Sequence, residues 1–546
     1  MPVLLLLIAL AAIFVWSVRR LLFRISISDI PGPESESFLL GNLRQLICCC
    51  KAGEADIRLQ AQYGDIVRIK APFGEDRLLV SDPLALRHII HCSGYTYRKQ
   101  AERIELSRMI SGRGLLWADG DVHKRQKRVM RPAFSPAQSK AYLPIFLSIA
   151  GQLSNKWREL VSREEGDGTA QIDVNQWLSR ATMDVIGEAA FDYQFQLLHD
   201  DSAPLVKSYF NMLCDALGSP SKLGIFVQSI SQYLPTRLLN FLSDNVPAQR
   251  LERLRQNARD VNKVSQGLIE EKYEALKAGK GRRDVMSLLV RANESHTASA
   301  RLNEEEMLAQ MRTMMFAGHE TTATTLSWCL YELARDPMRT QRDLRAEIRG
   351  VEMRLAAQGR SEFESGDYEK MPLLAAFIKE ILRFHTTVLH IYRQPIKDDV
   401  LPLSKPVTTT SGKVLHALPI PQGQKLMLSL ALYHRNPDIF GKDVHSFRPG
   451  RWPDGSIDES VNSGGAFGNQ LLAFSGGVRS CIGWRFAMLE LQAILVELVS
   501  TFEFEIPAGV KITRKQVIVM VPLVEGKESE GAQMPMMVKL ADKSPG

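Results

Sequence analysis

The stretch Phe474-Ser475-Gly476-Gly477-Val478-Arg479-Ser480-Cys481-Ile482-Gly483 decides how this chain is read. Two glycines set a turn, an arginine stands two residues before a cysteine, and an apolar helical pattern from Trp484 to Phe502 follows directly. A lone cysteine is most often a small buried apolar residue. In this setting, backbone N–H groups and a helix N-terminus are expected to lower the thiol pKa and favour the thiolate. A thiolate held there can serve as a nucleophile or as a metal ligand. No histidine lies within the motif to act as a base, so a soft anionic ligand for iron is the better fit.

Upstream segments supply further chemistry. In Lys379-Glu380-Ile381-Leu382-Arg383, the i, i+3 spacing puts Glu380 and Arg383 on one helix face, although such pairs are also common on solvated faces. Phe447-Arg448-Pro449-Gly450-Arg451-Trp452 holds a second arginine. A long helix is predicted from Glu304 to Arg335, capped by Asn303 with three glutamates in its first turn and stopped by Asp336-Pro337. It would span about 48 Å. Its centre, Ala317-Gly318-His319-Glu320-Thr321-Thr322-Ala323-Thr324-Thr325, is a poor helix sequence. Close packing at small residues explains this, and so does a local distortion that admits a ligand and frees a hydroxyl.

Together these segments resemble the cytochrome P-450 monooxygenases. Phe474, Gly477, Arg479, Cys481 and Gly483 fill the five fixed positions of that family's haem-binding motif. Lys379 to Arg383, Phe447 to Trp452 and Ala317 to Thr322 match its other motifs in the family's order. The resemblance implies a mainly α fold with small β-sheets in a single large haem domain. It assigns Cys481 as the axial haem iron ligand, whose thiolate favours O–O cleavage. Phe474, Gly477 and Gly483 would shape the turn, with Phe474 beside the sulfur and the glycines allowing close approach to the haem. Arg479 and Arg393 would pair with the propionates. Counting back from Pro132-Ala133-Phe134 places His123 and Lys127 where the family usually has Trp and Arg. Glu320 and Thr321 would deliver protons through water, and Glu380, Arg383 and Arg451 would form a structural cluster behind the cysteine loop. The implied reaction inserts one atom of O₂ into an organic substrate. The implied cofactors are haem b and NADPH, the latter acting through a partner flavoprotein reductase, since no dinucleotide or flavin domain is visible after residue 502.

The rest of the 546 residues agrees with a globular enzyme: 45% are hydrophobic and 24% charged. Sixty-eight basic against 61 acidic residues leave a net +7, too mild for a nucleic-acid signature. Ten Lys/Arg against four Asp/Glu fall between Arg98 and Arg131, a net +6. That segment should cover the proximal haem side, where an acidic electron donor would dock; some of the charges can equally serve propionates or lie scattered on the surface. Seven cysteines, an odd number with no CxxC pair, argue against a disulfide framework and a zinc site. The Cys48-Cys49-Cys50 run has no role that the sequence explains.

Residues 1–24 read as an N-terminal membrane anchor. Val3 to Trp16 is an unbroken apolar run, short for a span of roughly 20 residues, and Arg19, Arg20 and Arg24 follow it. The positive charge comes after the run, and no small-residue cleavage site follows, unlike a secretory signal. The positive-inside rule puts the body in the cytoplasm, and the resemblance puts the anchor in the endoplasmic reticulum membrane. Residues 25–37, with Pro31-Gly32-Pro33, read as a stiff proline hinge, and 38–546 as the haem-thiolate domain. Strands are expected at Ile66–Lys70, Arg77–Ser81, Lys425–Leu430 and Val517–Val521.

By the resemblance, substrate contacts fall in Tyr97–Trp117, Leu205–Pro247, Met314–Ala317 and Thr386–Tyr392. These segments are mostly apolar, which implies a lipophilic small molecule, with fungal secondary metabolism and terpenoids as the expected setting. Thr386-Thr387, in place of a common Pro-Pro, would loosen that turn or put hydroxyls over the haem. Two other functions stay open: a haem-thiolate isomerase or dehydratase that needs neither O₂ nor reductase, and a non-catalytic haem binder. The presence of Glu320 and Thr321 counts against both.

Overall fold

The computed structural model describes residues 25–542 except 44–45, 47–51, 166–167, 201–208, 210, 219–220, 232, 279–283, 296–300, 454–456 and 458–470. The expected anchor, the Cys48–Cys50 run and part of the Leu205–Pro247 substrate segment lie outside the described residues. Among the described residues, no helix is long and apolar enough to cross a membrane.

The helices that frame the site are α1 (Glu54–Tyr63), α2 (Gly120–Met130), α3 (Leu143–Arg163), α4 (Val174–Phe191), α5 (Glu304–Arg335), α6 (Pro372–Phe384) and α7 (Trp484–Thr501). The long helix α5 has the bounds its sequence predicts. Asn303 accepts from the Glu306 N–H at 2.8 Å and the Glu306 carboxylate accepts from the Asn303 N–H at 3.1 Å, a reciprocal cap. Its weak centre is helical throughout, with its hydroxyls turned back on the helix: Thr321 Oγ1 donates to the Ala317 carbonyl at 2.8 Å and Thr325 Oγ1 to the Thr321 carbonyl at 2.8 Å. Gly318 is explained by packing, since a Cβ there would lie 2.3 Å from Ile186 Cδ1 on α4. Close packing is therefore the reason for the small residues, and no distortion of the helix accompanies it.

Four sheets lie around the helices. The largest, in order β1-β2-β8-β5-β3, comprises β1 (Ile66–Lys70), β2 (Asp76–Val80), β3 (Tyr97–Arg98), β5 (His390–Pro395) and β8 (Leu426–Ser429). It is antiparallel except between β2 and β8. β4 (Thr169–Asp173), β9 (Phe502–Glu505) and β12 (Pro535–Leu540) form a second sheet with β12 central. β6 (Asp399–Thr408) pairs with β7 (Val414–Ile420), and β10 (Ile512–Gln516) with β11 (Met520–Val524). The strand expected at Val517–Val521 is instead a turn followed by the start of β11; the Val517 N–H bonds to the Val519 carbonyl at 3.1 Å, and the apolar side chains point into the core.

One buried apolar cluster runs from Ile27 to Val538 in sequence and unites these layers. Phe486 of α7 anchors one part of it, in edge contact with Phe134, Tyr142 and Phe146. A fully buried Phe of this kind is worth about 1.5–3 kcal/mol. The expected proline hinge is fastened to the body. Ile27 and Ile30 are core residues, the Pro31 carbonyl accepts the Arg68 N–H at 2.9 Å, and a Cβ on Gly32 would lie 1.8 Å from the Arg68 carbonyl oxygen. Asp29 accepts from Thr410 and Ser411 in the β6–β7 turn; these hydroxyl bonds hold its carboxyl down at about 2.

Candidate active site

The cysteine turn is closed by its own backbone: the Cys481 N–H donates to the Phe474 carbonyl at 2.9 Å. Gly477 has φ +59, and a Cβ there would lie 2.2 Å from the Ile90 carbonyl oxygen; a Cβ on Gly476 would lie 2.2 Å from the His91 ring. The expected reason for Gly477 was approach to the haem, but the structure shows that a neighbouring protein segment imposes it. Gly483 precedes α7, with Phe134 at ordinary contact distance. Cys481 is exposed at the turn; desolvation by the surrounding protein raises its thiol pKa, and the Gly483 N–H and Lys127 oppose the rise. The Gly483 N–H at the start of α7 is the kind of group expected beside a thiolate. Binding of a metal deprotonates a coordinating thiol outright.

Lys127 of α2 spans to this turn. Its Nζ donates to the Ser480 carbonyl at 2.8 Å and the Val478 carbonyl at 3.0 Å. Lys127 was expected at a propionate; the structure places its ammonium on the cysteine loop instead. His123, one helical turn earlier, is buried, with Nδ1 2.8 Å from the Tyr95 hydroxyl. Burial and then the charges of Lys99, Lys127 and Arg479 push its pKa down to about 4, so it is a neutral imidazole at physiological pH.

Arg479 and Arg393 meet in the same corner with a residue that the sequence did not single out, Lys99. Arg479 donates to Asp119 Oδ1 from Nε at 3.0 Å and Nη2 at 2.5 Å, and lies 4.7 Å over the Tyr95 ring. Asp119 also accepts the Gly120 and Lys99 N–H groups at 2.9 Å each, capping α2. Lys99 Nζ reaches the Leu116 and Ala118 carbonyls at 2.6 and 2.8 Å. Burial, with Arg393 nearby, pushes Lys99 down to about 7, and burial with Arg479 pushes Arg393 down to about 10. Three cations thus crowd one carboxylate. The charges are short of anions, and a group with two carboxylates at its edge would supply them.

On α5 the residues from Met311 to Phe316 are buried, but Ala317 is exposed and Glu320 and Thr321 are half-buried. Glu320 Oε2 lies 3.2 Å from His319 Nε2, and the His319 ring packs 4.9 Å from Tyr209. Its field also raises the pKa of Cys214.

Behind the cysteine turn sits a fully buried ion cluster. Arg383 donates to Glu380 from Nε at 2.9 Å and Nη2 at 2.7 Å; Arg451 Nε reaches Glu380 Oε1 at 2.9 Å. Trp452 Nε1 and the Arg448 N–H complete the Glu380 carboxylate at 3.1 and 2.8 Å. The spare guanidinium hydrogens go to backbone carbonyls: Arg383 to His434 and Val444, both at 2.9 Å, and Arg451 to Phe440 at 2.7 Å. No sequence signal pointed to His434. Its Nε2 accepts the Leu472 N–H at 3.0 Å and its Nδ1 lies 2.8 Å from Thr386 Oγ1, so it joins the cluster to the start of the cysteine turn. Thr386 also donates to the Arg383 carbonyl at 2.9 Å, so it tightens the turn rather than facing a haem; Thr387 Oγ1 lies 3.1 Å from Thr325 Oγ1.

The sequence profile of the cytochrome P450 family matches residues 31–525. Cytochrome P450 monooxygenase 205 of Postia placenta is 31% identical, with 97% of each chain covered. Cytochrome P450 monooxygenase claQ of Ampulloclitocybe clavipes is 29% identical, with 96% of each chain covered. Ganoderic acid synthetase CYP5150L8 of Ganoderma lucidum is 31% identical over 91% of this chain and 92% of that one. The chain belongs to the cytochrome P450 family and is a haem-thiolate monooxygenase. Its donor set fits the haem that the family carries: a cysteine on a tight turn beside half-buried cations that outnumber their one carboxylate partner.

Proposed function

We propose that this monooxygenase is anchored in the endoplasmic reticulum membrane by residues 1–24. In this reading residues 38–546 form one cytoplasmic haem domain that oxidises a lipophilic small molecule with NADPH electrons from a flavoprotein reductase. The observation that carries the site assignment is the half-buried corner of Lys99, Arg393 and Arg479 around Asp119, continuous with the Cys481 turn.

Cys481 would ligate the iron of a haem b, with Phe474, Gly477 and Gly483 fixing the turn and Lys127 tying down its carbonyls. Arg479, Arg393 and Lys99 would hold the propionates, with the remaining His123 nitrogen as a neutral donor. Bound haem supplies the activation of O₂, one atom entering the substrate and the other leaving as water. Thr321 presents a hydroxyl on the accessible face of α5 and can exchange its bond to the Ala317 carbonyl for one to the oxygen site. Glu320 is the refillable acid behind it. Glu380, Arg383 and Arg451 are structural.

Lys124, Arg128 and Arg131 on and just after α2, and Arg485 at the start of α7, are exposed and form no ion pairs with described residues. They offer an acidic reductase a basic face beside the cysteine turn. Several other basic residues of that segment are engaged: Arg108 with Glu105 and Asp244, Arg125 with Glu306, and Arg103 over the Tyr392 ring. A terpenoid is the proposed substrate class, supported by the relative named for ganoderic acid synthesis. Co-expression with a reductase and a screen of lipophilic terpenoids should yield NADPH-dependent oxidised products. Turnover with peroxides alone would overturn the monooxygenase cycle in favour of an isomerase, and no turnover of any kind would favour a haem carrier.

A further inference from the structure

A second cavity, of about 540 Å³, lies away from the cysteine turn. α1, the C-terminal ends of α5 and α6, and β10 enclose it. That volume falls in the range of small-molecule sites, about 300–1,000 Å³. Its wall is amphipathic. Trp328, Tyr331 and Phe384 give it aromatic surface, and Arg335, Arg435 and Arg514 give it charge.

The arginines differ in how they are partnered. Arg335 is held by Glu332 at 3.1 Å, which also binds His385 at 2.6 Å. That carboxylate is therefore occupied. Arg435 is 8% exposed, lies 5.0 Å over the Phe384 ring and donates to the Phe384 carbonyl at 2.9 Å and to the Ala431 carbonyl at 3.5 Å. The Arg514 guanidinium lies 4.9 Å from the Phe384 ring and 5.9 Å from Trp328, and makes no hydrogen bond or ion pair with a described residue. Burial, then Arg514 and Arg383, push Arg435 down to about 9; burial pushes Arg514 down too. At the rim, Glu54 and Arg58 are exposed and opposite in sign. Two guanidiniums thus face the cavity without an ion pair to a described residue, feeling Glu332 and Glu380 only through space, and one of them is more than nine-tenths buried.

Such groups are costly unless an anion completes them. Guanidinium forks match carboxylate and phosphate oxygens, and the aromatic wall asks for an apolar body attached to that head. We propose that this cavity binds a small amphiphilic anion, a carboxylate or phosphate ester on an apolar chain or ring. Trp328 follows Thr321 by seven residues, about 10 Å along α5, so the ligand would sit apart from the oxidation site as an effector rather than as its substrate.

Purified full-length holoenzyme, with its iron held by imidazole to close the haem pocket, would be titrated calorimetrically with decanoate, decyl phosphate, decanol and inorganic phosphate. At least one of the two amphiphilic anions should bind with unit stoichiometry, and which of them binds tighter assigns the head group. Decanol and inorganic phosphate should bind at least about tenfold more weakly, the loss of one charge-assisted contact. Arg514→Gln removes no hydrogen bond of the fold; it should weaken the anion at least about tenfold and leave the haem spectrum unchanged, with Arg514→Lys recovering part of the loss. Undiminished binding in Arg514→Gln, equal binding of decanol, equal binding of inorganic phosphate, or no binding of either amphiphile would overturn the proposal.

Discussion

Arg479 and Asp119 form a short, nearly enclosed ion pair, with Nη2 to Oδ1 at 2.5 Å and side-chain exposures of 8% and 12%. The pair links the cysteine turn to the cap of α2, so the cation corner and the loop that carries Cys481 share one support.

The pH dependence of that support has a definite sign. Burial raises the Asp119 pKa, but the Lys99 N–H, the Arg479 guanidinium and the Gly120 N–H together hold it below its usual value. A carboxyl whose folded pKa is depressed contributes stability above its unfolded pKa and loses it as pH falls through the folded one. Asp119→Asn keeps the cap oxygen and removes the charge. Chemical unfolding should show the wild type ahead by about 1.5–3 kcal/mol at pH 7, with the gap closing below about pH 4, the ordinary aspartate range. A pH-independent gap would point to lost packing instead.

The buried Glu380 cluster depends on all of its members. Removing one partner from a buried ion cluster leaves an unpaired charge and costs about 3–5 kcal/mol. Arg451→Met and Glu380→Gln should each give little soluble, haem-loaded protein, measured as the ratio of Soret to protein absorbance. Near-normal loading in either variant would show that the cluster is dispensable.

Glu490 of α7 is a buried acid that the proposed chemistry does not use. It is 0% exposed, Thr322 is the one side chain that favours its charged form, and burial raises its pKa well above normal. The folded chain therefore keeps a proton there that the unfolded chain releases above about pH 4.5, so this group destabilises the fold as pH rises. Glu490→Gln should stabilise by on the order of 1–2 kcal/mol at pH 7 and by nothing near pH 4. Loss of stability at pH 7 would contradict a neutral Glu490.

Thr321 is tested by coupling. Thr321→Ala should leave folding, haem content and NADPH consumption nearly intact, while product formed per NADPH falls about tenfold, within the usual scale for a lost proton-transfer group. Unchanged coupling would remove Thr321 from the proton path.

The sequence was most legible where one local rule acts alone. The cap at Asn303 and the stop at Asp336-Pro337 gave α5 its bounds, and the strand-like stretches at 66–70, 77–81 and 425–430 fall within a residue of β1, β2 and β8. The β6–β7 hairpin was not legible, since Pro402 and Pro406 interrupt a strand that the structure tolerates as an irregular pair shifted between Pro402 and Val407. At the site, the motif residues were readable because each sits in a fixed local pattern. Lys99, Asp119 and His434 carry no such pattern; their roles come from contacts outside any local motif, 360 residues apart for Asp119 to Arg479 and 38 for His434 to Leu472. Lys127 lies on α2 in the register counted from Pro132-Ala133-Phe134, but its ammonium reaches the Ser480 and Val478 carbonyls, a contact that no local pattern announces.

The central claim is that Cys481 supplies the thiolate that ligates the haem iron. The reduced, carbon-monoxide-bound absorption spectrum of the purified full-length protein tests it most directly. The wild type should show the thiolate-type Soret band, and Cys481→Ser should lose that band or lose the haem. A wild type that binds haem and carbon monoxide without the thiolate band, or a Cys481→Ser protein that retains it, would contradict the account.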